Sequence, residues 1–347
     1  MKKIIKAAVL YRNNHPLELM SIEPKYQLER GQVLVKLINS GICGAQINEI
    51  KGISGFDKYL PHLMGHEGYA KVVKIGPDVK VVKTGDKVIL HWRKSFGINA
   101  KPAKFKSNTQ IINSGNVTTF SNYSIVSENR CTKVNLNKNL KKIAPLFGCA
   151  LTTSYGIVYK EAKIKKNDKI LLIGCGGLGL SIAGFIDTLQ NKNLIIIENK
   201  LNKHKKKFID NLSFAPKIIN SINEIKNNKD YTFDKIIDTS GNVEILRDAF
   251  TLLNKSSDLI LVGQPKINSK LILKNPLSFF QGKKIYASDG GSIHPGKHLK
   301  QVIKLVSRHA KLFNSIVSKT ISLKDINKGI SLMLNKKAAR IIVSFNN

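Results

Sequence analysis

The chain has 347 residues, which is enough for two domains with separate hydrophobic cores. It carries 57 Lys and Arg against 23 Asp and Glu, which gives a formal net charge of +34. No apolar run approaches the ~20 residues that a membrane span requires, so no membrane-spanning helix is expected.

A strong positive charge is typical of proteins that bind nucleic acid or an anionic surface. The lysines here are spread along the chain, and the densest cluster, residues 203–207 (KHKKK), has no interleaved aromatic residue. That cluster is predicted to lie on the solvent-exposed face of a helix. We therefore attribute the charge to a general compositional bias and keep nucleic-acid binding as a less favoured alternative. The charge is still compatible with an anionic substrate.

Four cysteines, Cys43, Cys131, Cys149 and Cys175, include no close-spaced pair and do not indicate a disulfide framework. A reducing cytoplasm is therefore the expected compartment. The N-terminal segment imitates a signal peptide, but Lys6 interrupts its short apolar run, so a first strand is predicted instead.

Residues 1–152 are predicted to form a β-rich, barrel-like domain. Gly, Pro, Asn and Asp punctuate short strands, and there is little sustained helical periodicity. Residues 31–37 alternate in the way a strand does, and residues 83–88 indicate a turn that enters another strand.

Residues 169–184 (KILLIGCGGLGLSIAG) predict a buried strand, a glycine-rich turn and the start of a helix. The three glycines at 174, 176 and 179 fit the G-x-G-x-x-G pattern, which permits a tight turn, the approach of a pyrophosphate and close helix packing. Such a turn alone also occurs in a helical hairpin. A following helix at 178–189, a strand at 193–197 and then Glu198 favour a dinucleotide site.

Strand and helix alternate through residues 153–289. The pattern predicts a six-stranded, doubly wound parallel sheet, with further strands at 217–219, 234–238, 259–262 and 284–287 and a helix at 243–254. Strand and helix no longer alternate in residues 290–347, where helices are predicted at 297–308 and 323–335 and a strand at 340–345. We expect this tail to return to the first domain, which makes the cofactor domain an insertion.

Cys43, His66 and Cys149 are candidate ligands of a catalytic zinc. Thiolates and an imidazole suit Zn²⁺, and three protein ligands leave the open position that a catalytic site needs. Such an ion polarises a carbonyl or stabilises an alkoxide during hydride transfer with nicotinamide. Because the three residues are far apart in the sequence, each is also compatible with a packed core position.

The chain resembles the zinc-dependent medium-chain alcohol dehydrogenase family over nearly its whole length. The matching blocks are GICGAQINE at 41–49, LPHLMGHEG at 60–68, KTGDKVILHW at 83–92, TTFSNYSIVSEN at 118–129, FGCALTTSYG at 147–156, GCGGLG at 174–179, FDKIIDTSGN at 233–242 and KAARIIVSF at 337–345. The resemblance implies a GroES-like catalytic domain with an inserted Rossmann domain. It also implies an alcohol or polyol dehydrogenase, or a carbonyl reductase, that acts on a small polar substrate as a homodimer or homotetramer.

The resemblance also assigns roles to individual residues. It implies one catalytic zinc held by Cys43, His66 and Cys149, with Glu67 as a carboxylate that can approach the metal. The predicted cofactor contacts are Thr153 beside the nicotinamide, Arg340 on the pyrophosphate, and Gly174, Gly176, Gly177, Leu178, Gly179, Glu198, Lys203 and Gly263. The predicted walls of the substrate pocket are Ala45, Trp92 and Phe120, of which the two aromatic residues suit a core role equally well.

Glu198 favours NAD over NADP. Its carboxylate is expected to accept hydrogen bonds from the adenosine ribose and to repel a 2′-phosphate. Lys200 and Lys203 weaken this expectation, since either can meet a phosphate.

The chain departs from the family pattern at Ala45, where many members carry the Ser or Thr of a proton relay. Alanine transfers no proton, so the alcohol proton must leave through water, the cofactor ribose or another side chain. Glu49, His62 and His91 are candidates for that side chain. This departure also favours sugar or polyol derivatives over simple alcohols as substrates.

Two further departures concern the metal. Residues 93–130 lack the four close-spaced cysteines that hold a structural zinc in many members, so a second metal is not expected. Gln46 stands where the family usually has an aspartate beside the catalytic metal, which should alter the orientation of the ligands. A zinc-independent reductase of the same fold therefore remains an alternative.

Overall fold

The structure is a computed structural model that describes residues 4–53, 55–107, 110–273 and 276–345. Contacts divide the chain into two compact units. The first consists of Met1–Thr152 and Ile293–Asn347, and the second is Thr153–Ser292. The second unit is thus continuous in sequence and interrupts the first.

The chain up to residue 152 consists mostly of strands. They are β1 (Ile5–Leu10), β2 (Glu18–Pro24), β3 (Gln32–Ile42), β4 (His62–Leu63), β5 (Gly68–Ile75), β6 (Lys87–Leu90), β7 (Lys104–Lys106), β8 (Ile111–Asn113), β9 (Tyr123–Ser127) and β10 (Cys131–Lys133). Strands β1, β2, β7, β8 and β4 close into a barrel in that order, which confirms the barrel-like prediction. The first three residues of the chain lie outside the described residues.

Two short helices belong to this stretch or border it. They are α1 (Gly44–Ile50) and α2 (Ala150–Gly156), of which the second continues into a π-helical turn over Ile157–Glu161. The sequence pattern does not predict α1, because seven residues are too few to display helical periodicity. Helix α1 matters for the site because it begins immediately after Cys43.

The second unit is a doubly wound sheet, as predicted. Its strands are β11 (Ile170–Ile173), β12 (Leu194–Ile197), β13 (Lys217–Ile219), β14 (Phe233–Asp238), β15 (Leu253–Leu261) and β16 (Lys284–Ala287). All neighbours are parallel, in the order β13-β12-β11-β14-β15-β16. The helices are α3 (Gly177–Thr188), α4 (Lys203–Ile209) and α5 (Val243–Thr251). Helix α5 ends earlier than predicted because β15 begins at Leu253.

The chain after residue 292 returns to the first unit. It forms α6 (Pro295–Arg308), α7 (Ala310–Asn314), β17 (Val317–Ser322), α8 (Ile326–Leu334) and β18 (Arg340–Ser344). Strand β17, which the sequence pattern does not predict, pairs in parallel with β18. Strand β18 runs antiparallel to β3 with Ile341 opposite Ile42, so Arg340 lies beside the carboxyl end of β3.

The sheet of the first unit has the order β10-β6-β5-β3-β18-β17, and β9 also pairs with β3. Strand β3 is therefore central, and its carboxyl end leads directly to Cys43. Within the described residues, the helices are all too short or too polar to cross a membrane.

Candidate metal and cofactor sites

Cys43, His66 and Cys149 meet in the first unit. Their ligand atoms all lie within 4.8 Å of one another. Cys43 follows β3, and His66 lies just before β5, which pairs antiparallel with β3. Cys149 stands immediately before α2. Strand pairing therefore brings together side chains that are far apart in the sequence.

Glycine at position 148 is what lets the third thiol approach. A Cβ at Gly148 would lie 2.1 Å from the carbonyl oxygen of Leu90 and 3.0 Å from Cα of Glu67. Real Cβ atoms do not make a contact as short as the first, and the second is tighter than most, so the backbone before Cys149 packs this closely only as glycine.

The donor set fits a zinc ion. The Nε2 atom of His66 is buried and, within the part of the chain that the structure describes, has no hydrogen-bond partner of good geometry. An unpartnered buried nitrogen is costly unless something else binds it. With two thiols close by, this nitrogen completes the kind of nitrogen and sulfur set that Zn²⁺ prefers.

The two thiols differ electrostatically. A hydrogen bond between them lowers the pKa of Cys43 well below its ordinary value and raises the pKa of Cys149 well above it. Cys43 is therefore the first of the pair to become a thiolate, the form that binds metal. Burial acts to lower the pKa of His66, but the contact with Cys43 and its charge outweigh burial and raise it.

Gln46, on α1, links two of these residues. The backbone N–H of Cys43 donates to Oε1 of Gln46 at 2.7 Å, and Nε2 of Gln46 lies 2.5 Å from Nδ1 of His66. In this orientation the amide donates to Nδ1, which leaves the proton of a neutral imidazole on Nε2. A metal ligand needs its lone pair there instead. Gln46 therefore favours the tautomer of His66 that must change when metal binds. A carboxylate at this position would instead accept hydrogen bonds from both the backbone N–H of Cys43 and an Nδ1–H of His66.

Glu67 is paired with Arg340 rather than gathered with the three ligand atoms. Its Oε1 lies 3.0 Å from Nη1 of Arg340, and the N–H of Ala150 donates to its Oε2 at 3.5 Å. Both charged residues are almost fully buried, at 0% and 2% exposure, and burial raises the pKa of Glu67. Arg340 also donates to the carbonyl of Ile42 at 3.1 Å. The predicted roles of Glu67 near the metal and of Arg340 on the pyrophosphate stay predictions.

The three predicted pocket residues have different environments. Ala45 is half-buried on α1, and Trp92 is 36% exposed with the guanidinium of Arg93 5.4 Å from its ring. Phe120 is 1% exposed and packs in a core cluster with residues such as Met64. Its position therefore matches the core alternative that the sequence left open.

His91 is enclosed by its own hydrogen bonds. Its Nδ1 donates to the carbonyl of Arg93 at 2.8 Å, and its Nε2 lies 2.9 Å from the hydroxyl of Thr132. Burial lowers the pKa of His91 to about 4. Because both ring nitrogens of the neutral His91 are hydrogen-bonded, this residue is poorly suited to relay the alcohol proton.

Glu49 and His62 form a group with Asp57, whose participation no sequence pattern indicates. Nδ1 of His62 donates to the carbonyl of Leu63 at 2.9 Å. Its Nε2 lies 2.9 Å from Oδ2 of Asp57 and 3.8 Å from Oε1 of Glu49. Glu49 is 44% exposed, and partial burial raises its pKa. This group is therefore open to solvent on one side, unlike His91.

The three glycines of the turn in the second unit divide into two functions. Gly174 has φ of +91°, and a Cβ on Gly179 would lie 2.1 Å from the carbonyl oxygen of Gly174. A Cβ on Gly176 would meet nothing within 4 Å. The first and third glycines thus serve the fold, while the second, at the start of α3, leaves room for a ligand.

Thr239 bonds to the start of this turn, and two further residues with predicted cofactor contacts, Gly263 and Thr153, lie elsewhere in the second unit. Thr239, which the sequence did not single out, donates from its hydroxyl to the carbonyls of Ile173 and Gly174 at 2.9 and 3.1 Å. Gly263 donates its N–H to the carbonyl of Asp238 at 2.9 Å. Thr153 is 7% exposed at the start of the unit. The contacts of Thr153 and Gly263 with a cofactor stay predictions.

Glu198 follows β12 directly and is 7% exposed. Lys205 of α4 lies 2.7 Å from Oε2 of Glu198 and is 3% exposed. The expectation that residues 203–207 form a solvent-exposed face is therefore wrong for Lys205, although the other four positions are exposed. The sequence of residues 203–207 does not indicate this exception, because the partner of Lys205 is Glu198, which lies outside the cluster at the end of β12.

The chain is similar to known alcohol dehydrogenases. Residues 29–136 match the family profile described as the alcohol dehydrogenase GroES-like domain. The chain is 29% identical to alcohol dehydrogenase 6 of Peromyscus maniculatus, with 97% of both chains covered. It is 27% identical to S-(hydroxymethyl)glutathione dehydrogenase of Paracoccus denitrificans, with 98% of this chain and 99% of the relative covered.

The fold is similar to a solved structure named as an alcohol dehydrogenase zinc-binding domain protein from Burkholderia ambifaria. The TM-score is 0.87 at 18% identity, and the comparison covers 100% of both chains. Together with the two-unit architecture, these matches support an alcohol oxidoreductase. In sequence and fold the chain is similar to zinc-type medium-chain alcohol dehydrogenases.

Proposed function

We propose that this protein is an NAD(H)-linked, zinc-dependent dehydrogenase of a small polar alcohol, polyol or sugar derivative, or the corresponding carbonyl reductase. The observation that carries the metal assignment is the buried Nε2 of His66, which lies beside the thiols of Cys43 and Cys149 and has no hydrogen-bond partner of good geometry among the described residues. A bound zinc supplies a Lewis acid for the alcohol or carbonyl oxygen, and a bound dinucleotide supplies the hydride acceptor or donor.

The chain's own residues prepare the metal site. Cys43 provides the thiolate, since the thiol of Cys149 donates a hydrogen bond to it. The buried pair of Glu67 and Arg340 lies against Ala150 and Ile42, next to two of the ligands. Arg340 compensates the charge of Glu67 there, which would otherwise be an unpaired buried charge.

Metal content and activity test this proposal together. Protein purified without chelator is expected to contain about one equivalent of zinc and to reduce NAD with an alcohol substrate. A panel of simple alcohols, polyols, sugar phosphates and S-(hydroxymethyl)glutathione would identify the substrate class. Less than about half an equivalent of zinc with activity intact would favour the zinc-independent reductase instead.

NAD(H) is the proposed cofactor because Glu198 stands at the end of β12, where its carboxylate can accept from an adenosine ribose hydroxyl. The open space at Gly176 and the start of α3 suit a pyrophosphate. Fluorescence titration with NADH would measure this binding directly.

For the alcohol proton, the group of Glu49, His62 and Asp57 is the proposed acceptor. His91 is enclosed, whereas Glu49 is partly exposed and adjoins a histidine that faces two carboxylates. Glu49→Gln is expected to lower kcat at neutral pH and to change the shape of its pH profile, because the variant takes up no proton at this position. An unchanged profile would favour a route through water alone.

A homodimer or homotetramer is the proposed assembly. Strand β16 is an edge of the parallel sheet, and Leu277 and Phe280 just before it are 70% and 89% exposed. An open strand edge next to exposed apolar side chains is suited to pairing with a second copy. Light scattering after gel filtration would show the assembly, and Phe280→Asp should shift it toward monomer.

A further inference from the structure

A buried lysine holds the carboxylate that is proposed to face the cofactor ribose. The Nζ atom of Lys205 lies 2.7 Å from Oε2 of Glu198 and donates to the carbonyl of Lys200 at 3.0 Å. The side chains of Lys205 and Glu198 are only 4% and 7% exposed. Two contacts and burial therefore fix the ammonium group in place against the end of β12.

The hydrogen bonds of Glu198 leave little capacity for a ligand. The N–H of Cys175, in the glycine turn, donates to Oε2 at 3.1 Å, and the N–H of Lys200 donates to Oε1 at 2.9 Å. With Lys205 these make three donors, whereas a carboxylate has about four acceptor positions. One position remains, on Oε1, so Glu198 can accept from one hydroxyl of a ribose diol and not from both.

The charge of Glu198 is also compensated. Lys205 cancels the negative charge at short range, and Lys200 and Lys203 are exposed near the same strand end and helix start. A carboxylate discriminates against a 2′-phosphate mainly by repulsion, which requires its charge to be uncompensated. Here the local charge does not oppose an additional phosphate.

We infer that Lys205 is a positioning residue for cofactor selectivity, and that it narrows the preference of Glu198 for NAD(H) over NADP(H). The protein should then bind both dinucleotides with affinities within about tenfold of each other. This inference rests on the proposed dinucleotide function. It deepens that function because it names the residue that determines the ratio of the NADPH and NADH dissociation constants.

The test compares the dissociation constants of NADH and NADPH by fluorescence titration of the full-length protein. Lys205→Met keeps most of the apolar stem but removes the ammonium, so Glu198 becomes an uncompensated charge. The ratio of NADPH to NADH dissociation constants is expected to rise at least about tenfold. Lys206→Met is the matched control, because it removes the same charge from an exposed position on the same helix.

A second variant keeps the test decisive if Lys205→Met folds poorly. Glu198→Gln leaves Lys205 without its counter-charge, so the ratio should shift in the opposite direction, toward NADPH. In a double variant with Glu198→Gln, the effect of Lys205→Met should largely disappear, since the lysine is argued to act through that carboxylate.

Three results would overturn the inference: an unchanged ratio in Lys205→Met, an equal shift in Lys206→Met, or a full effect of Lys205→Met without the carboxylate. A wild-type protein that discriminates strongly between the two cofactors would overturn it as well. Failure of the wild type to bind either dinucleotide is a different outcome, because it would contradict the proposed function itself.

Discussion

The glycine turn of the second unit and the metal-ligand cluster of the first are built in opposite ways. The turn occupies six consecutive residues, 174–179, and works through the absence of side chains and the direction of backbone groups. The cluster takes one side chain each from positions 43, 66 and 149, which meet because β3 and β5 pair and because Gly148 permits a close approach.

This difference determines how each site responds to its surroundings. A cradle made of backbone keeps its shape as long as the strand, turn and helix form. A cluster made of side chains depends on the protonation and hydrogen bonds of each member, which neighbours such as Gln46 control. The two sites should therefore fail separately and for different reasons.

The largest effect is expected from Cys43→Ala, which removes the thiolate of the cluster. Bound zinc should fall below about one tenth of an equivalent, and turnover should fall about a thousandfold or more, because no Lewis acid is held. NADH affinity should stay within about twofold, since the glycine turn belongs to the other unit. Metal analysis and NADH titration measure these quantities. Cys131→Ala is the control, because Cys131 is an equally buried thiol outside the cluster; if both variants lost zinc equally, the proposed ligand set would be wrong.

His91 makes the first unit sensitive to acid. Its pKa is about 4 in the folded protein against an ordinary value of 6.5, so the unfolded chain binds the proton more readily. The stability associated with neutral His91 is complete above pH 6.5 and is lost as the pH falls from 6.5 toward 4, by about 3 kcal/mol in total. His91→Gln should reduce this loss by a similar amount, as measured by denaturant unfolding at several pH values. A variant with the same pH dependence as the wild type would contradict the assignment.

The glycine turn can be tested by two alanine substitutions with different consequences. Gly176→Ala places its Cβ in open space, so the melting temperature should barely change, while NADH affinity falls about thirtyfold, or about 2 kcal/mol. Gly179→Ala forces a Cβ to within 2.1 Å of the carbonyl of Gly174 and should lower the melting temperature instead. Neither change should release zinc. Similar melting curves and affinities for the two variants would show that the turn does not divide its roles in this way.

The smallest effect is expected at Gln46, where a carboxylate would accept hydrogen bonds from both Cys43 and His66. Gln46→Glu should raise zinc affinity about tenfold, because it favours the tautomer of His66 that leaves Nε2 free for metal. Competition with a chelator of known affinity measures this change. Asn48→Asp adds the same charge two residues further along α1 and should have less effect. If the two variants gained affinity equally, general electrostatics rather than the tautomer would explain the result.

The sequence predicted the second unit more completely than the first. The apolar run of β11 is buried throughout, so its pattern identifies a central strand without further knowledge. Strand β17 has two consecutive exposed positions, Lys319 and Thr320, and depends on β18 for its pairing, so its own pattern is weak. Helix α1 is not predicted either, because its seven residues are too few to display helical periodicity.

The same division applies to the sites. The glycine spacing and the acid after β12 are local features, and the sequence alone predicts the dinucleotide fold, the positions of its strands along the chain and the candidate ligands. Only the tertiary structure decided the partners of those residues. Gln46 is hydrogen-bonded to His66, Arg340 forms an ion pair with Glu67, and Lys205 forms one with Glu198. The physical reason is that backbone geometry and burial periodicity are encoded by neighbouring residues, whereas the charge and proton at a functional atom depend on side chains that arrive from distant segments of the chain.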